Sequence, residues 1–321
     1  MRAAIIAGGS IDIRERPDPV PGSGQILVRA RAAGVNGADL LQLAGRYPPP
    51  PGIPADMPGL EMAGEVVGTG AGVSRFSVGD SVMSLVSGAG QAELVVVHER
   101  EAMPVPEGIT WAVAGAFPEV FVTAHDALFT QAGLRCGERA CIHGAAGGVG
   151  TAAVQLAAAT GAQVVATVRN PEHRRAVADL GRAAGDPSTV AVGPADAADL
   201  GPYDVVLELV GAPNLPADLE ALAVGGRVVV IGTGAGTRAE IDVSRLMARR
   251  ARIHGSTLRA RSFEEKALVA RRVEHNVLPL LGAGRVTVPI AATYPLAEAA
   301  AAYDRFAAGA KLGKVVITFG D

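Results

Sequence analysis

Arg139-Ala-Cys-Ile-His143, Gly144-Ala-Ala-Gly-Gly-Val-Gly150 and Thr151-Ala-Ala-Val-Gln-Leu156 follow one another without a break. The first piece reads as a short apolar strand, the second as a glycine-rich turn, and the third as the start of an apolar helix. A strand that passes into a helix through glycines aims unpaired backbone N–H groups and the positive helix end at one point. Without side chains in the way, a pyrophosphate can approach that backbone. The spacing departs from G-x-G-x-x-G: Ala145 stands at the first glycine, while Gly147 and Gly150 hold the other two places. Counted from Gly144, the pattern is G-x-x-G-x-x-G. Alone, such a string fits a plain tight turn equally well; its place between strand and helix, with further β-α units downstream, points to a dinucleotide.

Those units are Gln163-Val-Val-Ala-Thr-Val168, Tyr203-Asp-Val-Val-Leu-Glu208 and Arg227-Val-Val-Val-Ile231, with helical stretches such as Val149 to Thr160 and Pro171 to Leu180 between strands. Alternating strands and helices imply a parallel, doubly wound sheet. Pro171 suits a first helical turn, with Asn170 as its N-cap. Upstream, Ile26-Leu-Val-Arg-Ala-Arg-Ala alternates, and Glu65-Val-Val and Asp80-Ser-Val-Met-Ser-Leu lie between glycine-rich turns, which predicts a twisted sheet or partial barrel. Past His254 come a long helical stretch from Ser262 to Leu281, Val286-Thr-Val, a helix near Leu296 to Ala308 and a last strand, Gly313 to Thr318. That tail has too few strands for a core of its own, so it is expected to return to the first region. The expected division is 1–117 and 258–321 for one domain and 118–257 for the inserted one.

A formal net charge of -3 gives no reason to expect nucleic acid as a partner. Arg245, Arg249, Arg250 and Arg252 stand at helical spacing and read as a solvated face. Met1 to Ala7 is a short alternating run unlike an export signal, and the apolar runs are too short or too broken by glycine to span a bilayer. A cytoplasmic protein is expected. Two cysteines, Cys136 and Cys141, can build neither a disulfide framework nor a four-thiolate zinc lobe, and both read as small buried hydrophobes.

Three segments together resemble a known family: Asn36-Gly-Ala-Asp-Leu-Leu-Gln-Leu-Ala-Gly-Arg-Tyr-Pro-Pro-Pro-Pro-Gly52, Pro58-Gly-Leu-Glu-Met-Ala-Gly-Glu-Val66, and Gly144 to Gly150. They are similar to the zeta-crystallin-like quinone oxidoreductases of the medium-chain dehydrogenase/reductase superfamily, nearest to the branch with the p53-inducible quinone oxidoreductase. Gly255-Ser-Thr-Leu-Arg-Ala-Arg261 and Lys311-Leu-Gly-Lys-Val-Val-Ile317 fit the same branch, so the resemblance spans nearly the whole chain.

The resemblance implies an α/β fold in which a doubly wound parallel-sheet (Rossmann) domain is inserted in a mostly β, GroES-like partial barrel, with a substrate cleft at their junction. It implies NADPH as cofactor, hydride transfer to a quinone or enone acceptor, and a homodimer formed through the nucleotide domain. In zinc-dependent relatives a Cys and a Gly-His-Glu motif supply ligands; the matching positions here are Asn36 and Leu60, which leaves Glu61 without fellow metal ligands, so that a structural pairing is expected for it and a zinc-free enzyme is predicted. Asn36 and Tyr47 would line the cleft as hydrogen-bond donors to the acceptor oxygen, although a cap for Asn36 and packing for Tyr47 stay open. Cofactor contacts are expected from Thr123, from Gly144, Ala145, Ala146, Gly147, Gly148, Val149 and Gly150, and from Gly232, Ser256 and Lys314. At the tip of the second nucleotide-domain strand no acid is present; Arg169 and Asn170 are expected at a 2′-phosphate, with His173 and Arg174 on the next turn and Glu172 among them. His143 reads as structural. An enoyl-thioester reductase and a non-enzymatic NADPH-binding protein remain alternatives.

Overall fold

The computed structural model describes residues 1–320. Strands β1–β7 run over Arg2–Ala7, Ser10–Glu15, Gln25–Val35, Glu61–Thr69, Ser81–Leu85, Leu94–His98 and Ala102–Pro104. Strands β8–β13 run over Arg139–Ile142, Gln163–Thr167, Val190–Val192, Tyr203–Glu208, Leu222–Val230 and Arg252–Gly255, and β14 and β15 over Ile290–Pro295 and Lys314–Thr318. The chain forms two compact units. One holds Met1–Val122, Leu258–Ala283 and the chain from Val288 onward; the other holds Thr123–Thr257 together with Gly284–Thr287.

In the first unit β1 and β2 form an antiparallel hairpin, and seven strands make a sheet in the order β14-β15-β3-β4-β5-β7, with β6 on β3. β3 organises it. Ile26, Val28 and Ala30 alternate inward, as a half-covered strand should, and from Ala32 to Val35 every residue is buried. The change follows from the helix Trp111–Ala116 lying on that end: a β-carbon at Gly115 would stand 2.6 Å from the Ala32 backbone. The core collects Ile26, Val28, Val66, Val97, Val315 and Ile317. The C-terminal return is thus hydrogen-bonded into the sheet, with Val315 to Thr318 paired antiparallel to Ala32–Val35.

Two expectations for the tail need correction. The stretch from Ser262 to Leu281 is two helices, Phe263–Asn276 and Leu278–Gly282, because Pro279 lacks the N–H that would continue the first. The extended segment beyond it is β14, starting at Ile290, and not Val286-Thr-Val. Gly284–Thr287 instead clasps the second unit: the Gln155 amide donates to Thr287 O (2.9 Å) and accepts from Thr287 N (2.8 Å), and Arg285 donates to Ala184 O (2.8 Å).

The second unit has a six-stranded sheet in the order β10-β9-β8-β11-β12-β13. All of its pairs are parallel. Counted within the unit, the order is 3-2-1-4-5-6, the doubly wound arrangement whose direction of winding reverses between the first and fourth strands, here β8 and β11. Both are buried runs, Ala140-Cys-Ile142 and Val205-Val-Leu207, as expected of parallel strands covered on both faces. Helix Val243–Arg249 carries Arg245 and Arg249 on a largely exposed surface, in keeping with a solvated face.

Candidate cofactor and acceptor sites

In the second unit the phosphate loop lies at the reversal point, directly after β8. Gly144 has φ +63°, which favours glycine, and the turn closes with Gly147 N–H donating to Gly144 O at 3.0 Å. Gly147 is the N-cap of the helix Gly148–Ala159, and the first intrahelical bond runs from Thr151 N to Gly147 O at 2.8 Å. The N–H groups of Gly148, Val149 and Gly150 precede that bond and so have no helical acceptor. Gly150 is required by packing, since a β-carbon there would be 2.5 Å from Gly144 O. The departure at Ala145 also has a physical reason. Its methyl group is fully buried while its N–H donates to Thr167 O at 3.0 Å, so an alanine fits where the motif has glycine.

Arg169, Gly232 and Ser256 follow β9, β12 and β13, so the sheet brings them to the same C-terminal edge as the loop. Arg169 is exposed. Arg174 is partly buried and its Nε donates to Val168 O at 3.2 Å, which holds a second guanidinium at the β9 tip. Asn170 is the N-cap expected for Pro171: its oxygen accepts from Glu172 N at 3.1 Å, and its amide nitrogen faces the Glu172 carboxylate at 3.4 Å. Gly232 lies against Leu209, where a β-carbon would meet Leu209 O at 2.1 Å, and Ser256 Oγ donates to Asp126 at 3.3 Å. Thr123 is buried in the helix Pro118–His125 and is not among the residues at the strand ends.

In the first unit a buried polar network joins residues far apart in sequence. Lys314, 1% exposed, donates to Glu61 Oε1 (2.6 Å), to Val35 O (3.2 Å) and to Asn36 Oδ1. Asn36 Nδ2 donates to Glu61 Oε1 at 3.0 Å and toward Gly34 O at 3.5 Å, and Glu61 Oε2 accepts Glu119 N–H at 2.8 Å. The amide can face only this way, because an ammonium needs its oxygen and a carboxylate its nitrogen. Two expectations change accordingly. Lys314 has all three ammonium hydrogens committed inside this unit, leaving none for a cofactor. Asn36 has both ends of its amide turned inward, so it anchors Glu61 and Lys314 where direct donation to an acceptor was expected. Glu61, for which a structural pairing is expected in place of a metal, is fully buried and ion-paired.

Two further carboxyls border this pair. Asp39, fully buried, accepts from Asn36 N (2.9 Å) and Gly59 N (3.0 Å); burial raises its pKa to about 6 against the lowering effect of those amides. Glu119 is raised to about 7, chiefly by burial, with Lys314 opposing and Glu61 and Asp39 adding. Tyr47 is held from one side by Arg259, whose guanidinium lies 5.0 Å from the ring centroid and donates to Tyr47 O at 2.8 Å. Arg259 is itself fixed by Ser87 O (2.8 Å) and Gln42 Oε1 (2.6 Å). Burial raises the Tyr47 phenol above its usual value, against the pull of Arg259, so it stays a protonated donor at neutral pH. Sequence reading overlooked Arg259, Asp39 and Glu119; the only signal for Arg259 was its place in Gly255 to Arg261.

At the two zinc-ligand positions, Asn36 is bonded inward and Leu60 is a buried aliphatic side chain. Among the described residues, the one close group of three His, Cys, Asp or Glu side chains is His143, Glu208 and Asp218 in the second unit.

Residues 22–132 match the alcohol dehydrogenase GroES-like domain, and residues 148–273 match the zinc-binding dehydrogenase family. A quinone oxidoreductase of Rattus norvegicus is 33% identical over 306 residues, covering 93% of this chain and 90% of its own. The chain belongs to the quinone oxidoreductases of the medium-chain dehydrogenase/reductase superfamily. Within that family, the structure of the quinone oxidoreductase from Thermus thermophilus, also solved with NADPH, superposes with a TM-score of 0.84 at 31% identity, covering 99% of this chain and 100% of that one. A mycocerosic acid synthase-like polyketide synthase of Mycobacterium tuberculosis is 35% identical over 92% of this chain, which spans 14% of that protein. As a quinone oxidoreductase family member, the chain is an oxidoreductase with a nicotinamide cofactor. No helix among the described residues is long and apolar enough to cross a membrane.

Proposed function

We propose that this protein reduces quinones or related conjugated carbonyl compounds with NADPH and without a metal ion. The observation that carries the reading is the phosphate loop at the point where the sheet winding reverses, with the guanidiniums of Arg169 and Arg174 by the neighbouring β9 tip and no acid on the strand end Thr167-Val-Arg169 itself, Glu172 standing against Asn170 in the turn that follows. The free N–H groups of the loop hold the pyrophosphate. Arg169 and Arg174 hold a 2′-phosphate, where NAD sites place an acid for the ribose hydroxyl. Bound nicotinamide supplies a hydride. Tyr47, kept neutral by burial and held by Arg259, donates a hydrogen bond to the acceptor oxygen as that oxygen gains charge. The role a metal plays in polarising a carbonyl is thereby met by a neutral donor, and the buried positive charge is Lys314, neutralised by Glu61.

The matches to polyketide synthases favour a second reading, reduction of an enoyl thioester. Steady-state NADPH oxidation against quinones, enones and enoyl thioesters, before and after exhaustive chelation, separates the two. Turnover of quinones that survives chelation is expected. Turnover confined to thioesters, or lost with stoichiometric zinc, overturns the reading, and tight NADPH binding without oxidation by any acceptor would leave a binding protein. We further infer a cytoplasmic homodimer paired through the open edge strand β13, to be checked by sedimentation at micromolar concentration.

A further inference from the structure

His143 follows the last residue of β8 and directly precedes Gly144. Its buried ring meets Asp218 and Thr167, and Cys141 Sγ lies 3.8 Å from Nε2. Nε2 lies 2.7 Å from Asp218 Oδ1 and Nδ1 lies 3.1 Å from Thr167 Oγ1. A carboxylate oxygen only accepts, so Nε2 carries a hydrogen. Burial acts against charge on the ring, but the bond to Asp218, joined by the contact with Cys141, outweighs it and holds the imidazole up at about 11. An imidazolium therefore donates at both nitrogens, and Thr167 Oγ1 is an acceptor.

Thr167, the last residue of β9, then fixes the loop twice. Gly144 N–H donates to its Oγ1 at 3.3 Å, and Ala145 N–H donates to its carbonyl at 3.0 Å. Gly144 is the residue whose positive φ opens the phosphate turn, so its N–H direction sets where the later N–H groups point.

We propose that Asp218, His143 and Thr167 form a positioning relay that holds the first turn of the phosphate loop in its cofactor-binding shape. The inference rests on the loop being the pyrophosphate site. None of the three touches the ligand; each acts through Gly144. The relay spans three elements, the ends of β8 and β9 and the helix Leu215–Ala221, so no local motif reveals it.

Isothermal titration of NADPH into wild type, Thr167→Val, Thr167→Ser and His143→Gln tests it, with 2′-AMP as a second probe that lacks the pyrophosphate. Thr167→Val and His143→Gln should each raise the Kd for NADPH by about three- to tenfold, the worth of a single hydrogen bond. The double variant should lose little more than either single one. Thr167→Ser should restore wild-type affinity, and 2′-AMP should bind all four alike. NADPH affinities within twofold of wild type, failure of the serine variant, or parallel loss of both ligands would overturn the relay. A wild-type protein that binds 2′-AMP but not NADPH would overturn the pyrophosphate site on which it rests.

Discussion

Replacing Lys314 with methionine removes the one positive charge of the network in the first unit at nearly constant volume. Glu61 then keeps the Asn36 amide at 3.0 Å and the Glu119 N–H at 2.8 Å, but no counter-charge, in a position with no solvent exposure. Breaking a buried ion pair from one side costs about 3–5 kcal/mol, because the remaining charge stays desolvated. For a unit of this size roughly 2–4 °C accompanies each kcal/mol, so a melting point lower by about 6–20 °C is expected by calorimetry at pH 7.5. Lys314→Met combined with Glu61→Gln should recover most of the loss, since two neutral groups replace the pair. NADPH affinity at 10 °C should stay within twofold of wild type, because every Lys314 contact is internal to its unit. A melting point within 2 °C of wild type would refute the buried-pair argument, and a tenfold weaker NADPH Kd would return Lys314 to the cofactor.

In Gly150→Ala the new β-carbon meets backbone at 2.5 Å and 2.6 Å, so the loop must move and NADPH should bind about tenfold or more weakly; an unchanged Kd by titration would contradict this. Arg169→Ala should raise KM for NADPH about tenfold and leave NADH kinetics alone, whereas equal losses would remove Arg169 from the 2′-phosphate. Tyr47→Phe should lower kcat/KM with quinones on the order of 10²-fold without changing NADPH affinity, and an unaltered rate would reassign the phenol to packing. Glu119, raised to about 7 by burial first, costs stability as pH climbs from its unfolded value through 7. Glu119→Gln should therefore add up to about 3 kcal/mol at pH 8 and nothing near pH 4, as read by urea midpoints; an equal effect at both pH values would show that the carboxyl is not held up.

The nucleotide unit was largely readable in the sequence because its information is local. Continuous apolar runs mark β8, β9 and β11, glycines mark the loop, and Asn170-Pro171 marks a cap. Ala145 looked like a flaw in the motif only because burial of its methyl group cannot be seen from spacing. What escaped was short, exposed or long-range. Strands β10 and β13 have three and four residues, too few for a pattern of two to register. The acceptor-side network escaped for another reason: Lys314 meets Glu61 across 253 residues and Arg259 meets Tyr47 across 212. Periodicity says which face of a strand is buried, but not which distant charge will share that space. Hence the motifs single out Asn36 and Lys314, while the inward direction of their side chains is visible only in the fold.

The clasp at Gly284–Thr287 bears on how this chain can be taken apart. Gln155 is 1% exposed, and both halves of its amide are satisfied by the backbone of Thr287, much as a neighbouring strand would satisfy them. A fragment cut at Thr257 would keep every strand of the nucleotide sheet, and Gln155 Nε2 would keep Thr151 O at 2.9 Å, but Gln155 Oε1 would be left as a buried acceptor without its donor, at about 1–3 kcal/mol for the desolvated group. The cofactor unit is therefore not portable as the single stretch 123–257. Grafts, split reporters and circular permutants need to carry residues 284–287 with it, or to replace Gln155 with an apolar residue of similar size.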